Sequence, residues 1–210
     1  MAIMDINWQP FLSPDSDLPP DVSFHVISED DENPEVLGKS IGAHRLLLAA
    51  VSPVFRAMLF GPMKENRDTI KVKERSYEAF STMFSFIYKV PGEDFSLTDI
   101  RCPQKLFELL TVADKYAILS LKTLASDALG SMAISRENII FAATVAKNYK
   151  PLFEDVSEKL LARCCKFLLD TTARGRNLFA LMSKNFPDAC LDILHELINL
   201  ASESLHGPGV

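Results

Sequence analysis

Ala43-His-Arg-Leu-Leu-Leu-Ala-Ala-Val-Ser-Pro-Val-Phe-Arg-Ala-Met58 is the stretch that decides how this chain is organised. Leu46–Val51 reads as an apolar helix. Ser52-Pro53 both stops it and starts another, because Ser is a preferred N-cap and Pro suits a first helical position. The second helix carries Val54, Phe55, Met58 and Leu59 and ends at Gly61-Pro62. Upstream, Val22, Phe24 and Val26 alternate with Ser23 and His25, the period of a half-buried strand. Ser28–Gly38 is polar and acidic, with a turn signal at Asn33-Pro34. Lys39–Ala43 reads as the returning strand of a hairpin. Downstream, Thr69–Val72 is a short strand. From an N-cap at Ser76, the residues Tyr77, Phe80, Phe84 and Ile87 recur at helical spacing.

Pro91-Gly92 opens a loop reaching Pro103. Leu106, Leu109, Leu110, Ala113 and Ala117 then form one helical stripe, and Leu121, Leu124, Ala125 and Ala128 a second. A few short strands among many helices predict an α+β fold, a small sheet with a helical cluster. Beyond Gly130 the strand signals stop and an all-α extension begins. Ser135 reads as the cap of a helix holding Ile139, Ala142, Ala143 and Ala146. Phe153, Val156, Leu160, Cys164 and Phe167 mark the next face, Thr171–Asn177 a connection, Leu178–Met182 a short turn or helix. Cys190, Leu194, Leu197 and Ala201 line a last helix. The expected domains are an extended, Pro-rich arm at 1–20, a mixed domain at 21–129, a helical extension at 130–203 and a flexible tail at 204–210.

Charge and composition narrow the function classes. The formal net charge is −6. All the acidic residues before Lys39 (Asp5, Asp15, Asp17, Asp21, Glu29, Asp30, Asp31, Glu32 and Glu35) stand without one Lys or Arg among them, and the remainder is near balance. No dense basic cluster offers a phosphate-binding face, which argues against nucleic acid. No apolar run is long enough to span a membrane. The N-terminus lacks the pattern of a secretory leader, so the expected setting is intracellular, nucleus or cytoplasm. Cys102, Cys164, Cys165 and Cys190 form no C-x-x-C pair and no histidine sits at ligand spacing beside them, so packed thiols are expected and no metal.

Catalysis has little to stand on. His25 falls in a strand, His195 beside Glu196 on the last helix, and His206 in a Gly/Pro tail. His44 reads as a buried hydrogen bond locking the entrance to the first helix. No nucleophile elbow, zinc-protease motif or phosphate-binding glycine loop occurs, so the expectation is no enzyme and no cofactor.

The opening stretch resembles the core signature of the BTB/POZ family, with Asp21-Val-Ser-Phe-His-Val26 and Phe84-Ser-Phe-Ile-Tyr88 flanking it in the family's order. Ile70-Lys-Val72, Tyr77-Glu-Ala-Phe80 and Ala113-Asp-Lys-Tyr-Ala117 extend the resemblance over about Asp21–Leu129. Ala113–Ala117 with Leu121-Lys122, Asp127-Ala-Leu129 and Ser135-x-Glu-Asn138 are most similar to the speckle-type POZ proteins, and 135–203 resembles their three-box or BACK-like region. The resemblance implies a three-stranded sheet with a helical cluster, a non-catalytic protein–protein interaction module and an adaptor that binds cullin-3 in a ubiquitin ligase complex. It also implies a homodimer or a heterodimer with other BTB proteins, although the Pro-rich arm is ill suited to the helix the family's dimer uses. The expected departure is a missing MATH domain ahead of the fold.

The family's hydrophobic–any–Glu motif falls on Met63, Lys64 and Glu65. There Met63 would supply a flexible apolar anchor and Glu65 a carboxylate that fixes register. Read from spacing alone, Met63 tucks into its own domain and Glu65 is solvated. Tyr116 and Phe55 carry over as further cullin-groove residues or else belong to the core. The alternative to the adaptor is a cullin-independent oligomerisation scaffold of the transcriptional or channel-associated type.

Overall fold

The computed structural model describes residues 19–28, 39–62, 68–89, 95–97, 99–135 and 137–172. They fall into two compact units. One joins the residues up to Asp99 with Lys105–Ala125, the other Ile100–Gln104 with the residues from Ser126 onward.

In the first unit, β1 (Val22–Ser28), β2 (Lys39–Ala43) and β3 (Thr69–Glu74) form a sheet of order β2-β1-β3. β1 pairs antiparallel with β2, Phe24 opposite Ile41, and parallel with β3, Phe24 opposite Ile70. The hairpin strands stand where the alternation placed them, while the acidic connection with Asn33-Pro34 lies outside the described residues. β1 and β3 both run two residues further than their apolar alternation signals, because Ile27 and Ser28 pair with Lys73 and Glu74. That long-range pairing has no local signature. Gly42 meets Pro20 closely: a Cβ there would lie 2.9 Å from the proline ring, so the residues entering β1 pack on the hairpin.

α1 (Arg45–Val51) and α2 (Pro53–Phe60) follow. Ser52 ends the first and caps the second as expected, its Oγ accepting from the Phe55 N–H at 3.1 Å with Pro53 in the first turn. His44, at the head of α1, offers no side-chain cap. Asp21 supplies it instead: its Oδ1 accepts from the Arg45 N–H at 2.8 Å, a carboxylate at the positive end of the helix. His44 is half-buried, and its backbone N–H donates to the Tyr88 hydroxyl at 2.8 Å while its ring Nδ1 lies 3.1 Å from the same oxygen. Burial pushes the Tyr88 hydroxyl up to about 12, so it stays protonated and holds the helix entrance from the end of α3 (Tyr77–Ile87). Ser76 caps α3 through the Ala79 N–H at 3.2 Å. Phe80, Met83, Phe84 and Ile87 are buried, but Tyr77 is not; the Lys39 ammonium sits over its ring at 4.7 Å. In the loop toward Pro103, Leu97 is buried and Phe95 packs edge-on to Phe86 at 5.2 Å, which gives part of that long connection an anchoring role.

α4 (Pro103–Lys115) ends in a turn that departs from the expected stripe. Ala117 is not helical: its φ is +53°, a conformation that costs an L residue about 1 kcal/mol. The Ile118 N–H reaches the Ala113 carbonyl (2.8 Å) and the Ala117 N–H reaches that of Asp114 (3.0 Å), the paired bonds of a helix C-terminus usually closed by glycine. Ala117→Gly is therefore expected to raise stability by about 0.5–1 kcal/mol, read as a shifted midpoint in urea unfolding. A fall in the midpoint would contradict this account of the turn. α5 (Leu119–Ser131) buries Leu121, Ala125 and Leu129, while Leu124 and Ala128 of the expected stripe are only half-buried.

The second unit holds a helical hairpin, α6 (Ile139–Tyr149) and α7 (Glu154–Thr172). α6 buries Ile139, Ala142, Ala143, Val145, Ala146 and Tyr149, and the three alanines among them let the partner helix approach. The residue that precedes the helix is Asn138 and not Ser135, and its side chain caps no helical N–H: it accepts from the Ser135 N–H (2.8 Å) and donates to the Ala133 carbonyl (2.9 Å), tying the chain that leads into the helix. The buried face of α7 is Ser157, Leu160, Leu161, Cys164 and Cys165, rotated from the expected one; Phe153, Val156 and Phe167 are only half-buried. Helix also replaces the start of the connection expected from Thr171, continuing through Thr172. Cys164 and Cys165 are both buried, and burial pushes the Cys164 thiol up to about 12, the property of a packed, unreactive group. Leu178–Met182 and the helix expected at Cys190–Ala201 lie outside the described residues. Among the described residues no helix is long and apolar enough to cross a membrane.

Candidate partner-docking surface

A buried polar cluster ties α2, β3 and the end of α4 together. The Ser52 hydroxyl donates to the Tyr116 carbonyl at 2.6 Å while accepting from α2. Tyr116, just past α4, sends its hydroxyl to Glu74 Oε1, also at 2.6 Å. Lys115 donates from Nζ to the same carboxylate oxygen (2.7 Å) and to the Lys73 carbonyl (2.8 Å). Glu74 is buried at the end of β3, whereas the Lys115 side chain is 46% exposed and closes the cluster toward solvent. Burial first, and then the Glu74 charge and hydrogen bond, raise the Tyr116 hydroxyl far above the ordinary tyrosine range, so it stays protonated and donates to Glu74.

Around this cluster lies an aromatic core. Phe55 stacks on Tyr116 with ring centres 4.5 Å apart and meets Phe24 edge-on at 5.6 Å and Phe84 at 6.1 Å. Both residues read from the sequence as groove or core are thus internal here, Phe55 at 0% and Tyr116 at 1% exposure. Neither side chain reaches the described surface, and what they do for a docking face they do by holding α2 and β3 in place.

Those two elements frame the third expectation. α2 ends at Gly61, whose N–H donates to the Ala57 carbonyl at 2.9 Å; β3 is entered through Asp68, whose carbonyl accepts from the Ser23 N–H at 2.7 Å. Met63, Lys64 and Glu65 lie in the link between them, outside the described residues. The structure therefore brings Phe55, Tyr116 and the two ends of that link onto one frame.

Two participants escaped the reading of the sequence. Glu74 in Thr-Ile-Lys-Val-Lys-Glu looks like a solvated charge, yet the period-two rule carried on from Ile70 and Val72 points it inward. Phe60 at the end of α2 is 54% exposed, and its spacing from the exposed Arg56 and Ala57 places it on the outer face. Leu46 and Leu119 are the other exposed large apolar residues described in this unit, at 77% and 73%. Among the described residues no group of three or more His, Cys, Asp and Glu side chains could hold a metal ion.

Comparison with known proteins places the same segment. A family model described as the BTB/POZ domain matches residues 20–132. "TD and POZ domain-containing protein 1" of Mus musculus is 40% identical over 95 residues, 45% of this chain and 25% of that protein. "TD and POZ domain-containing protein 2" of the same organism is 31% identical over 134 residues, 63% of this chain and 34% of that protein. "BTB/POZ and MATH domain-containing protein 3" of Arabidopsis thaliana is 29% identical over 191 residues, 88% of this chain and 43% of that protein. The chain thus spans between a quarter and less than half the length of these relatives. The Arabidopsis alignment holds more residues than 20–132 contains, so the likeness reaches outside that segment.

Proposed function

This chain belongs to the BTB/POZ domain family, a family of protein-interaction domains, and on that premise we propose that it is a non-catalytic adaptor binding cullin-3 in a ubiquitin ligase complex. The observation that carries the reading is the position of Met63-Lys64-Glu65, in the link between the capped end of α2 and the entry to β3. Met63 is the anchor for an apolar groove and Glu65 fixes the register. Phe55 and Tyr116 serve the face from inside, as positioning residues.

Residues 21–129 form the interaction domain in this reading. The helical residues within 130–203 form a three-box or BACK-like extension in this reading. The α6–α7 hairpin and the length of the Arabidopsis alignment support that extension. The proposed setting is the nucleus or the cytoplasm.

Met63→Asp is expected to weaken binding to the cullin-3 N-terminal domain by about 2 kcal/mol, roughly 30-fold, with folding intact, as read by calorimetric titration. Equal affinity for a well-folded variant would remove the motif from the account. The exposed Leu46 and Leu119 favour a second reading, a cullin-independent scaffold that forms homodimers or heterodimers with other BTB proteins. Self-association without cullin-3 binding distinguishes it.

A further inference from the structure

We propose that the acidic, Pro-rich residues 1–18 dock on the outer face of this chain's own three-stranded sheet, with Asp17 against Lys71 and Asp15 against Lys73. Phe24, Val26, Ile70 and Val72 turn one face of that sheet into the core. The register puts Ser23, His25, Ser40, Thr69, Lys71 and Lys73 on the other. His25 and Ser40 meet there, ring Nδ1 to Oγ at 3.2 Å. Lys71 and Lys73 are exposed, and among the described residues neither ammonium has a carboxylate partner. None of these outward residues is acidic, so the face is basic although the whole chain carries a net charge of −6.

The chain enters the fold across that face. Gly42 is turned outward opposite Ser23, and a Cβ there would stand 2.9 Å from the Pro20 ring. Pro20 therefore lies on the outer face at its β2 side, before the Asp21 N–H donates to the Ala43 carbonyl at 3.1 Å. Lys71 is two strands across and one two-residue step along from Gly42, about 12 Å away, and Lys73 about 16 Å. Asp17 and Asp15 stand three and five residues before Pro20, a reach of about 10 and about 17 Å, and the long lysine stems close what remains. Residues 1–18 contain Asp5, Asp15 and Asp17 and no Lys or Arg, the charge complementary to this face. Exposed ion pairs are individually weak. A short tether offsets that weakness, because it holds the carboxylates at an effective concentration on the order of millimolar. A second copy or a separate acidic peptide in micromolar solution does not match it, which selects this chain's own segment as the occupant. Docked there, the segment covers the basic face and keeps acidic segments of other chains off it.

The test is carbodiimide cross-linking of the full chain at low salt, on an equal mixture of isotopically light and heavy chains, with the linked peptides identified by mass spectrometry. Amide links from Lys71 or Lys73 to Asp15 or Asp17 are expected within single chains. Their yield should fall at least about fivefold at about 1 M salt, where charges are screened beyond about 3 Å. Links that join light to heavy chains assign the face to a second copy and overturn the inference. A yield indifferent to salt reports chance collisions of a loose segment and overturns it too. So do links from the two lysines to Glu29–Glu35 in place of Asp15 and Asp17, or no links from them at all. The absence of links would leave Lys71 and Lys73 as charges that keep the edge strand β3 from pairing with other chains.

Discussion

Phe55→Ala is expected to destabilise the first unit by about 4 kcal/mol, the scale for removing a buried aromatic ring. Phe55 is fully buried and touches rings from three directions: Phe24 from the central strand, Phe84 from α3 and Tyr116 from the end of α4. Those neighbours are themselves held, Phe24 by strand pairing on both sides and Tyr116 by hydrogen bonds at both its hydroxyl and its carbonyl. They can move only slightly into the space left behind, and a cavity that does not collapse sits at the high end of the cost. Urea unfolding followed by circular dichroism measures it. A loss under about 1.5 kcal/mol would mean that the core is looser than these ring contacts describe.

The second large effect is a coupling. Glu74→Leu leaves the Tyr116 hydroxyl buried with no acceptor, and Tyr116→Phe leaves the Glu74 carboxylate short of a donor; each is expected to cost about 2 kcal/mol. The double variant removes both halves of the bond and replaces them with apolar surface, so its cost should fall short of the sum by at least about 1 kcal/mol. Lys115 does not cancel this, because its half-exposed ammonium can turn to water when Glu74 is gone. Additive costs in the double-variant cycle would show that the 2.6 Å contact contributes no net stability.

The same cluster shows where reading from the sequence stops. Ser52-Pro53, Ser76 and the alternation from Val22 to Val26 act through bonds to residues three or four away or through a two-residue period, so short stretches announce them. The stacking of Phe55 on Tyr116 depends on α2 meeting the end of α4, across more than fifty positions, and neither stretch carries that information alone. For the same reason their apolar character was compatible with a partner groove and with a core. Ala117 hid its left-handed turn because alanine ordinarily continues a helix; only the bonds from Ala117 and Ile118 back to Asp114 and Ala113 reveal it. The rotated face of α7 was missed because packing against α6 sets it, and the sequence of α7 alone does not carry that contact.

The family and the small sheet follow from local signals taken in order, and the match to the BTB/POZ domain over residues 20–132 agrees with them. The docking face is harder to read for a physical reason. An outer face is defined by what it leaves exposed, and exposure at Phe60 is known only after Phe55 and Leu59 have been seen to face inward.

The adaptor reading is tested most directly by titrating the purified full chain with the cullin-3 N-terminal domain and weighing the complex by light scattering. The account predicts sub-micromolar binding, more than about 8 kcal/mol, to a complex whose mass counts the copies of each chain. A folded chain that binds nothing up to tens of micromolar would contradict it and leave the cullin-independent scaffold in its place.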